Sequence, residues 1–196
     1  KTLDNWYKST IENRSLSKYI DINTGFCNDR EIASGHSKFT GGGYSNGNTL
    51  YKPGDRLIVT NASNYKSTLT PILRCSNKNR DLFTHNSANI GNKKLNYPVG
   101  MITMDEVIFA GGFVNASNSK YYLNTNEGYW TMSPYNLYAN AAQIIKVSLD
   151  GAFLNDTVSS VNTLGLRPVI NLKSDTKLTY NNESTKGSAS DPFVVV

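Results

Sequence analysis

The feature that most constrains the fold is a hairpin signal in the last third of the chain. Within the segment Ala142 to Leu149, Ile145, Val147 and Leu149 alternate with Lys146 and Ser148, which is the period of a half-buried strand. Asp150-Gly151 follows at once, and this dipeptide tolerates the positive φ angles of a type I′ turn. We therefore predict that the chain reverses at Gly151 into a second strand that begins at Ala152.

Two further strand-like segments bracket this hairpin. The first runs from Tyr129 to Pro134 and the second from Gly165 to Leu172. Both are rich in aromatic or branched apolar residues, which favour strands. The densest apolar material of the chain is thus expected in one small antiparallel sheet.

Two short helices are predicted outside this sheet. Thr2 to Ile11 carries its apolar residues, including Trp6, on one helical face. Thr103 and Glu106 have the spacing of a capping box at a helix start. Gly111-Gly112 is expected to end this second helix.

The remaining segments are long and polar, with three short strand candidates. These are Arg56 to Thr60, Pro71 to Arg74 and the terminal stretch Asp191 to Val196. The chain contains no internal repeat or linker that divides it. Its 196 residues are therefore expected to form a single domain, 1–196.

The charge distribution and the lengths of the apolar runs argue against two classes of partner. The net charge is +5, from 20 Lys and Arg against 15 Asp and Glu. Nucleic-acid-binding domains cluster such an excess, whereas these cations are scattered, with Lys93-Lys94 as the only adjacent pair. No apolar run approaches the roughly 18 residues of a membrane span. We predict no nucleic-acid partner and no insertion of this domain into a membrane.

The two cysteines, Cys27 and Cys75, allow two interpretations. They are too far apart for a CxxC redox or zinc motif. As free thiols they would be small buried residues of a cytosolic protein, whereas as a disulfide they would join the N-terminal third to the middle of the chain. Both lie in polar, turn-rich contexts, which favours the disulfide and an extracellular or cell-surface location.

Several segments together carry a resemblance to a known family. They are Leu3 to Tyr7, Phe26 to Arg30, Tyr97 to Glu106, Tyr129 to Pro134, Asp150-Gly151, Gly165 to Pro168 and Ser190 to Phe193. Together they resemble the C-type-lectin-like domains of surface proteins from low-GC Gram-positive bacteria, many of which are domains of unknown function. The resemblance extends over nearly the whole chain.

This resemblance implies an α+β, C-type-lectin-like fold, with a small twisted antiparallel sheet, two short helices and long loops. It also implies that the domain is the C-terminal part of a larger surface protein. Distant kin include the formylglycine-generating enzymes and the variable receptor-binding proteins of diversity-generating retroelements. Because this fold carries many unrelated sites, the resemblance does not imply an activity.

No catalytic constellation is evident in the sequence. Formylglycine-type oxidation needs two nearby reactive cysteines that hold a soft metal, and the isolated Cys27 and Cys75 do not match that pattern. His36 and His85 stand among Ser, Asn and Gly and are expected to be surface histidines. We predict that the chain is not an enzyme and uses no cofactor.

Two segments have the alternating oxygen ligands of a calcium loop. They are Asp21-x-Asn23-x-Gly25 and Asn77-x-Asn79-x-Asp81. Neither has the bidentate Glu that completes an EF-hand site. Asx-turns are the favoured use of these residues, and no metal site is predicted.

Recognition through Tyr and Asn side chains remains. Such residues offer flat apolar area and hydrogen-bonding groups at low entropic cost. The predicted ligand-binding residues are Tyr121, Tyr122, Tyr135, Asn136, Tyr138 and Asn140. Trp130 and Arg167 are expected to be structural.

Two functions therefore stand as hypotheses. The first is an extracellular ligand-binding or adhesion module of a bacterial surface protein, with an unknown protein or glycan as its partner. The alternative is a structural domain of a cell-wall or pilus-like protein without a ligand of its own. A formylglycine-generating-like enzyme is disfavoured.

Overall fold

The structure, a computed structural model, describes most of the chain. The described residues are 1–33, 49–59, 70–86, 90–114, 117–138, 141–159, 163–188 and 190–196. The predictions for His36 and Asn140 lie outside them, and Tyr138 is described in its backbone alone.

The helices are short. They are α1 (Thr2–Thr10), α2 (Lys52–Gly54), α3 (Lys78–Asp81) and α4 (Met104–Phe109). Two 3₁₀ turns, Glu12–Arg14 and Ser17–Tyr19, follow α1, and a π-helical segment, Asp55–Val59, follows α2. The two predicted helices are confirmed as α1 and α4, whereas α2, α3 and the π-helical segment were not predicted.

Twelve strands are assigned within the described residues, and nine of them are only two residues long. They are β1 (Phe26–Cys27), β2 (Thr49–Leu50), β3 (Leu82–Phe83), β4 (Gly100–Met101), β5 (Phe113–Val114), β6 (Tyr129–Tyr138), β7 (Ala141–Val147), β8 (Ala152–Thr157), β9 (Gly165–Leu166), β10 (Pro168–Val169), β11 (Leu178–Thr179) and β12 (Val194–Val195). With the helices they give an α+β structure, as predicted. The terminal strand is confirmed as β12, which pairs with β11.

A six-stranded sheet forms the centre of the molecule. Its strand order is β2-β6-β7-β8-β5, and β9 also pairs with β6. The four neighbouring strands β2, β6, β7 and β8 are antiparallel, as expected. However, β5 runs parallel to β8 and β9 runs parallel to β6. The sheet is therefore mixed. The predicted strand Gly165 to Leu172 is divided, because β9 joins this sheet whereas β10 pairs with β4 in a separate one.

The predicted reversal at Gly151 is present, but its turn type differs. The carbonyl of Ser148 accepts from the N–H of Gly151, and the N–H of Ser148 donates to the carbonyl of Ala152, both at 2.9 Å. Only Gly151 has a positive φ in this turn, +78°, so it is a three-residue loop with a left-handed glycine rather than a type I′ turn. A Cβ on Gly151 would lie 2.2 Å from the carbonyl oxygen of Asn118.

Helix α4 is fixed at both ends. The capping box is confirmed, since Thr103 Oγ1 accepts from the N–H of Glu106 and Glu106 Oε2 accepts from the N–H of Thr103. Ser133 on β6 accepts from the N–H of Met104 at 2.8 Å. Beyond the helix, Gly111 (φ +97°) and the following residue donate to carbonyls of the last turn. These hydrogen bonds fix where α4 begins and ends and attach its first turn to β6.

The hydrophobic core formed by the described residues has two parts. The larger cluster lies between α4, the π-helical segment and the face of the sheet that carries Tyr129, Ile145 and Phe153. The smaller cluster contains Tyr7 of α1, with Trp6 partly buried against it. The apolar face of α1 therefore packs on this cluster, with Tyr7 as its most deeply buried aromatic ring.

Two of the predicted strands are wrong. The described part of Arg56 to Thr60 is π-helical, and Pro71 to Arg74 has no strand. Leu57 and Ile58 are adjacent and are both buried in the larger cluster, which a helical backbone permits. A short apolar run does not by itself distinguish a strand from a buried helix. Ile72 donates its N–H to the carboxylate of Asp105 rather than to a strand.

The predicted disulfide between Cys27 and Cys75 is confirmed, with a Cα to Cα distance of 5.6 Å. Cys27 lies on β1, which pairs with β3. The bond therefore attaches the irregular segment around Cys75 to a small two-stranded sheet. No helix within the described ranges has the length and apolar character needed to span a membrane.

Candidate functional site

The adjacent tyrosines predicted to bind a ligand divide between core and surface. Tyr121 is 7% exposed, and its hydroxyl lies 3.1 Å from the hydroxyl of Tyr129. Burial raises the pKa of both hydroxyls. Tyr122, in contrast, is 69% exposed. Of this pair, only Tyr122 offers a free aromatic surface.

Tyr135 and Asn136 are half-buried on β6. A Cβ on Gly54 would lie 2.6 Å from ring carbon Cδ2 of Tyr135, so this ring packs closely against α2, and burial raises the pKa of its hydroxyl. The side-chain Oδ1 of Asn136 is buried without a hydrogen-bond partner. The side chain of Tyr138, like Asn140, lies outside the described residues. The described members of the predicted set thus occupy different environments.

Trp130 and Arg167 both lie at the sheet. Trp130 is half-buried, with the ammonium of Lys146 6.0 Å from its ring centroid. The guanidinium of Arg167 lies 4.1 Å from the ring centroid of Tyr129, and its Nη2 donates to Thr125 Oγ1 at 2.7 Å. Of the two aromatic residues Tyr129 and Trp130, Tyr129 is the more deeply buried, at 2% exposed.

Tyr122 forms one side of an open groove, which we call the Tyr122 groove. The other side consists of residues 184–188, Ser190 and Phe193, and the groove has a volume of about 590 Å³. Phe193 is 48% exposed. Two exposed aromatic rings thus face solvent beside a loop rich in hydroxyl groups.

The loop that forms this second side is held by the buried carboxylate of Asp191. Its Oδ1 accepts from the N–H of Asn181 at 2.9 Å, and its Oδ2 accepts from the N–H of Asn182 at 2.8 Å and from Thr185 Oγ1 at 3.0 Å. These bonds, chiefly the one from Asn181, lower the pKa of Asp191, so it is charged at neutral pH. A carboxylate that accepts several bonds from one loop restrains it.

The position of Phe193 depends on Gly187. Gly187 has a φ of +77°, and a Cβ there would lie 2.8 Å from ring carbon Cε2 of Phe193. On another side, the ring meets Tyr180 edge to face, with centroids 6.1 Å apart. Phe193 is therefore held in place while about half of its surface stays exposed.

The Tyr122 groove has little free charge. Among its described lining residues, Lys186 is the only charged one. Its ammonium pairs with the carboxylate of Glu183 and lies 5.2 Å from the ring centroid of Tyr180. A ligand here would meet aromatic faces and hydroxyl groups more than net charge.

A second concave site, which we call the disulfide cavity, lies beside Cys27 and Cys75. Its volume is about 280 Å³. Its apolar walls are formed by the disulfide and by Phe26, Ile72, Leu82 and Met101. These residues come from distant parts of the chain, so the cavity depends on the tertiary fold.

Three ionised side chains form one wall of this cavity. Arg56 donates through Nη1 to Asp29 Oδ2 at 3.0 Å and through Nη2 to Asp105 Oδ2 at 2.7 Å. The side chains of Arg56, Asp29 and Asp105 are only 16%, 8% and 7% exposed. Asp105 also accepts from the N–H of Ile72 at 2.8 Å. This ion cluster therefore joins the π-helical segment, α4 and the segment around Ile72.

The cavity also meets the capping box of α4 and the side chain of Asn171. Thr103 and Glu106 line it with groups that already bond to each other. Asn171 lines it too, and its side-chain Nδ2 is buried without a hydrogen-bond partner. Such a donor is costly when it stays unpaired.

No family model, curated protein or solved structure matches this chain. What the Tyr122 groove and the disulfide cavity bind is therefore inferred from their own side chains.

The residues considered for metal binding or catalysis have other partners. Asp21 Oδ1 accepts from the N–H of Asn23 at 2.8 Å, which confirms an Asx-turn, and Asn77 caps α3 by accepting from the N–H of Arg80. His85 Nδ1 lies 3.1 Å from the carbonyl oxygen of Leu95. Within the described ranges, no group of three or more His, Cys, Asp or Glu side chains could hold a metal ion.

Sequence reasoning missed most residues of both concave sites. Residues 184–193 were assigned to a polar stretch and a terminal strand, although Phe193 is an aromatic residue next to several hydroxyl groups. The cavity residues Asp29 and Asp105 lie in segments noted only for their family resemblance, and Arg56 lies in a predicted strand. Nothing in the sequence indicated that these three side chains meet. A pairing of Tyr122 with Phe193 cannot be read from residues about 70 positions apart.

Proposed function

We propose that this chain is an extracellular ligand-binding or adhesion module of a bacterial surface protein, and that it contacts its partner through the Tyr122 groove. The observation that carries the proposal is the pair of exposed rings, Tyr122 and Phe193, which are 69% and 48% exposed beside a restrained loop. The partner is a protein or a glycan.

The chemistry of the groove suits recognition. Aromatic side chains supply large contact areas at low entropic cost, and neighbouring hydroxyl groups supply adaptable hydrogen bonds. Because Asp191 already restrains the loop, binding orders few additional groups, and this favours affinity.

We also propose that the domain has the C-type-lectin-like fold and belongs to the Gram-positive surface-domain family that its motifs resemble. Support comes from one sheet that contains the strand of Trp130, the reversal at Gly151 and the strand before Arg167. The disulfide between Cys27 and Cys75 supports an extracellular location.

The test is a binding screen of the 196-residue chain, with its disulfide intact, on glycan and protein arrays. The screen is repeated with Tyr122→Ala and Phe193→Ala. The matched control is Phe109→Ala, because Phe109 is 59% exposed on α4 and does not line the groove.

We expect a partner whose signal falls at least about tenfold in each groove variant, as for the loss of a central aromatic contact, and stays unchanged in the control. Binding that is equally strong in both groove variants would contradict the assignment of the site. An absence of binding on every array would favour the structural role.

A further inference from the structure

The disulfide cavity is large enough for more than solvent. Its volume of about 280 Å³ compares with about 30 Å³ for the share of one water in the liquid. It lies near the lower end of the range for small-molecule pockets. It is therefore suited to a compact ligand or to one side chain of a larger partner.

The apolar part of the cavity selects for an apolar body. Phe26, Ile72, Leu82 and Met101 form its walls together with the disulfide sulfurs. Leu73 also lines it and is 67% exposed, which places this side chain at the mouth. A ligand that buries an aliphatic group here removes that group from water.

Most polar groups in the walls already have partners. Asp29 and Asp105 accept from Arg56, and the carboxylate of Glu106 accepts from the backbone and hydroxyl of Thr103. The buried Nδ2 of Asn171 is a donor without an acceptor among the described residues. A ligand that presents an acceptor to Asn171 relieves the cost of this buried donor.

The charges of the walls argue against an ionised ligand. The lining residues include three carboxylates, Asp29, Asp105 and Glu106, and two guanidinium groups, Arg56 and Arg74. A carboxylate ligand would therefore meet an excess of negative charge. An ammonium group cannot accept from Asn171, and it would lose its water of hydration beside carboxylates that already have partners.

We propose that the disulfide cavity is a second binding site, independent of the Tyr122 groove, that takes a compact apolar ligand with an uncharged carbonyl group. The carbonyl oxygen accepts from Asn171 Nδ2, and the aliphatic part packs between Phe26 and Met101. An amide-linked aliphatic amino-acid residue has this chemistry, either as a small amide or within a partner's peptide chain.

The test uses three related probes and amide chemical-shift mapping on the 196-residue chain. The probes are N-acetyl-L-leucinamide, which is neutral, N-acetyl-L-leucine, which is an anion, and L-leucinamide, which is a cation at neutral pH. A leucine-containing pentapeptide, blocked at both ends, distinguishes a peptide source from a small amide.

We expect the neutral probe to bind most tightly and to shift the amides of Phe26, Met101 and Asn171. Asn171→Leu removes the donor at similar size, and Leu73→Trp obstructs the mouth. Each should weaken binding at least about tenfold, the effect of losing one buried hydrogen bond or the space for the ligand. Leu149→Trp is the matched control, since Leu149 is 63% exposed and does not line the cavity.

Three results would overturn the proposal. The first is stronger binding of the anionic probe that is lost in Arg74→Ala, because Arg74 would then be the recognition group. The second is that no probe shifts the cavity amides. The third is unchanged binding in Leu73→Trp. Because Leu73 is exposed, this variant keeps the test valid even if Asn171→Leu does not fold. None of these results bears on the Tyr122 groove.

Discussion

At the scale of single residues, Arg56 is the charge on which the disulfide cavity depends. It neutralises two carboxylates that are almost completely buried, those of Asp29 and Asp105. A buried ion pair contributes little net stability, but removal of one partner leaves uncompensated charge in a region of low dielectric. Arg56 is therefore expected to be far less tolerant of substitution than Arg74, which is exposed at the rim of the same cavity.

We predict that Arg56→Met lowers the free energy of unfolding by about 3 to 5 kcal/mol, since it leaves two buried carboxylates without their cation. The control Arg74→Met is expected to change it by less than about 0.5 kcal/mol, as for most exposed positions. Urea denaturation of the three proteins measures both effects. Equal stability of the two variants would show that the ion cluster is not buried as described.

Asp81 gives a prediction about pH. Burial alone would raise its pKa, yet hydrogen bonds and charge from Arg80 and Arg30 outweigh burial, and the pKa is lowered. The ionised carboxylate therefore stabilises the fold above the pKa of the unfolded chain, about 3.9. This stabilisation is lost as the pH falls toward the lower pKa of the folded protein.

We expect Asp81→Asn to be less stable than the unmodified protein by about 1 to 3 kcal/mol at pH 7, the usual cost of losing hydrogen bonds to a charged group. The difference should shrink as the pH falls from about 4 to about 2, because the carboxylate then becomes neutral in both states. Denaturation midpoints across this pH range provide the measurement. A difference that grows on acidification would contradict the direction of the pKa shift.

At the scale of elements, α4 shows how far local sequence determines structure. Thr103, Glu106 and Gly111 predicted both its start and its end, because caps depend on residues three or four positions apart. The hairpin of β7 and β8 was predictable for the same reason. The π-helical segment was not, because its buried residues Leu57 and Ile58 pack against residues that are distant in sequence.

Thr103→Ala is predicted to destabilise the protein by about 1 kcal/mol, the typical cost of an N-cap side chain. Thr163→Ala serves as the control, because Thr163 is exposed and precedes β9. Thermal or urea unfolding gives the comparison. If the two variants lose the same stability, the capping bonds of Thr103 contribute nothing measurable.

At the scale of the whole molecule, the disulfide joins segments that are 48 residues apart. In the chain-entropy model, a loop of this length corresponds to about 4 kcal/mol of stabilisation. We predict a loss near this size in the double variant Cys27→Ser, Cys75→Ser, measured by urea denaturation. Protein isolated without reductant should also contain no alkylatable thiol. Two reactive thiols in that sample would remove the support for an extracellular location.

The candidate site was predictable only in part, and chain topology explains why. The sequence indicated Tyr122, whose neighbour Tyr121 has the same residue type but is 7% exposed. Which of two adjacent tyrosines faces solvent depends on the orientation of the whole loop, so composition cannot decide it. Phe193 and the walls of the disulfide cavity come from segments that meet only in the folded chain.

The most direct test of whether the Tyr122 groove binds the ligand is amide chemical-shift mapping of this chain. The shifts are recorded as the first partner found on the arrays is added. We predict that the shifted amides cluster at Tyr122, Gly187, Ser188 and Phe193, and that they do not shift when the partner is added to the Tyr122→Ala variant. Shifts confined to another face of the molecule, with the groove amides unchanged, would contradict the proposed function.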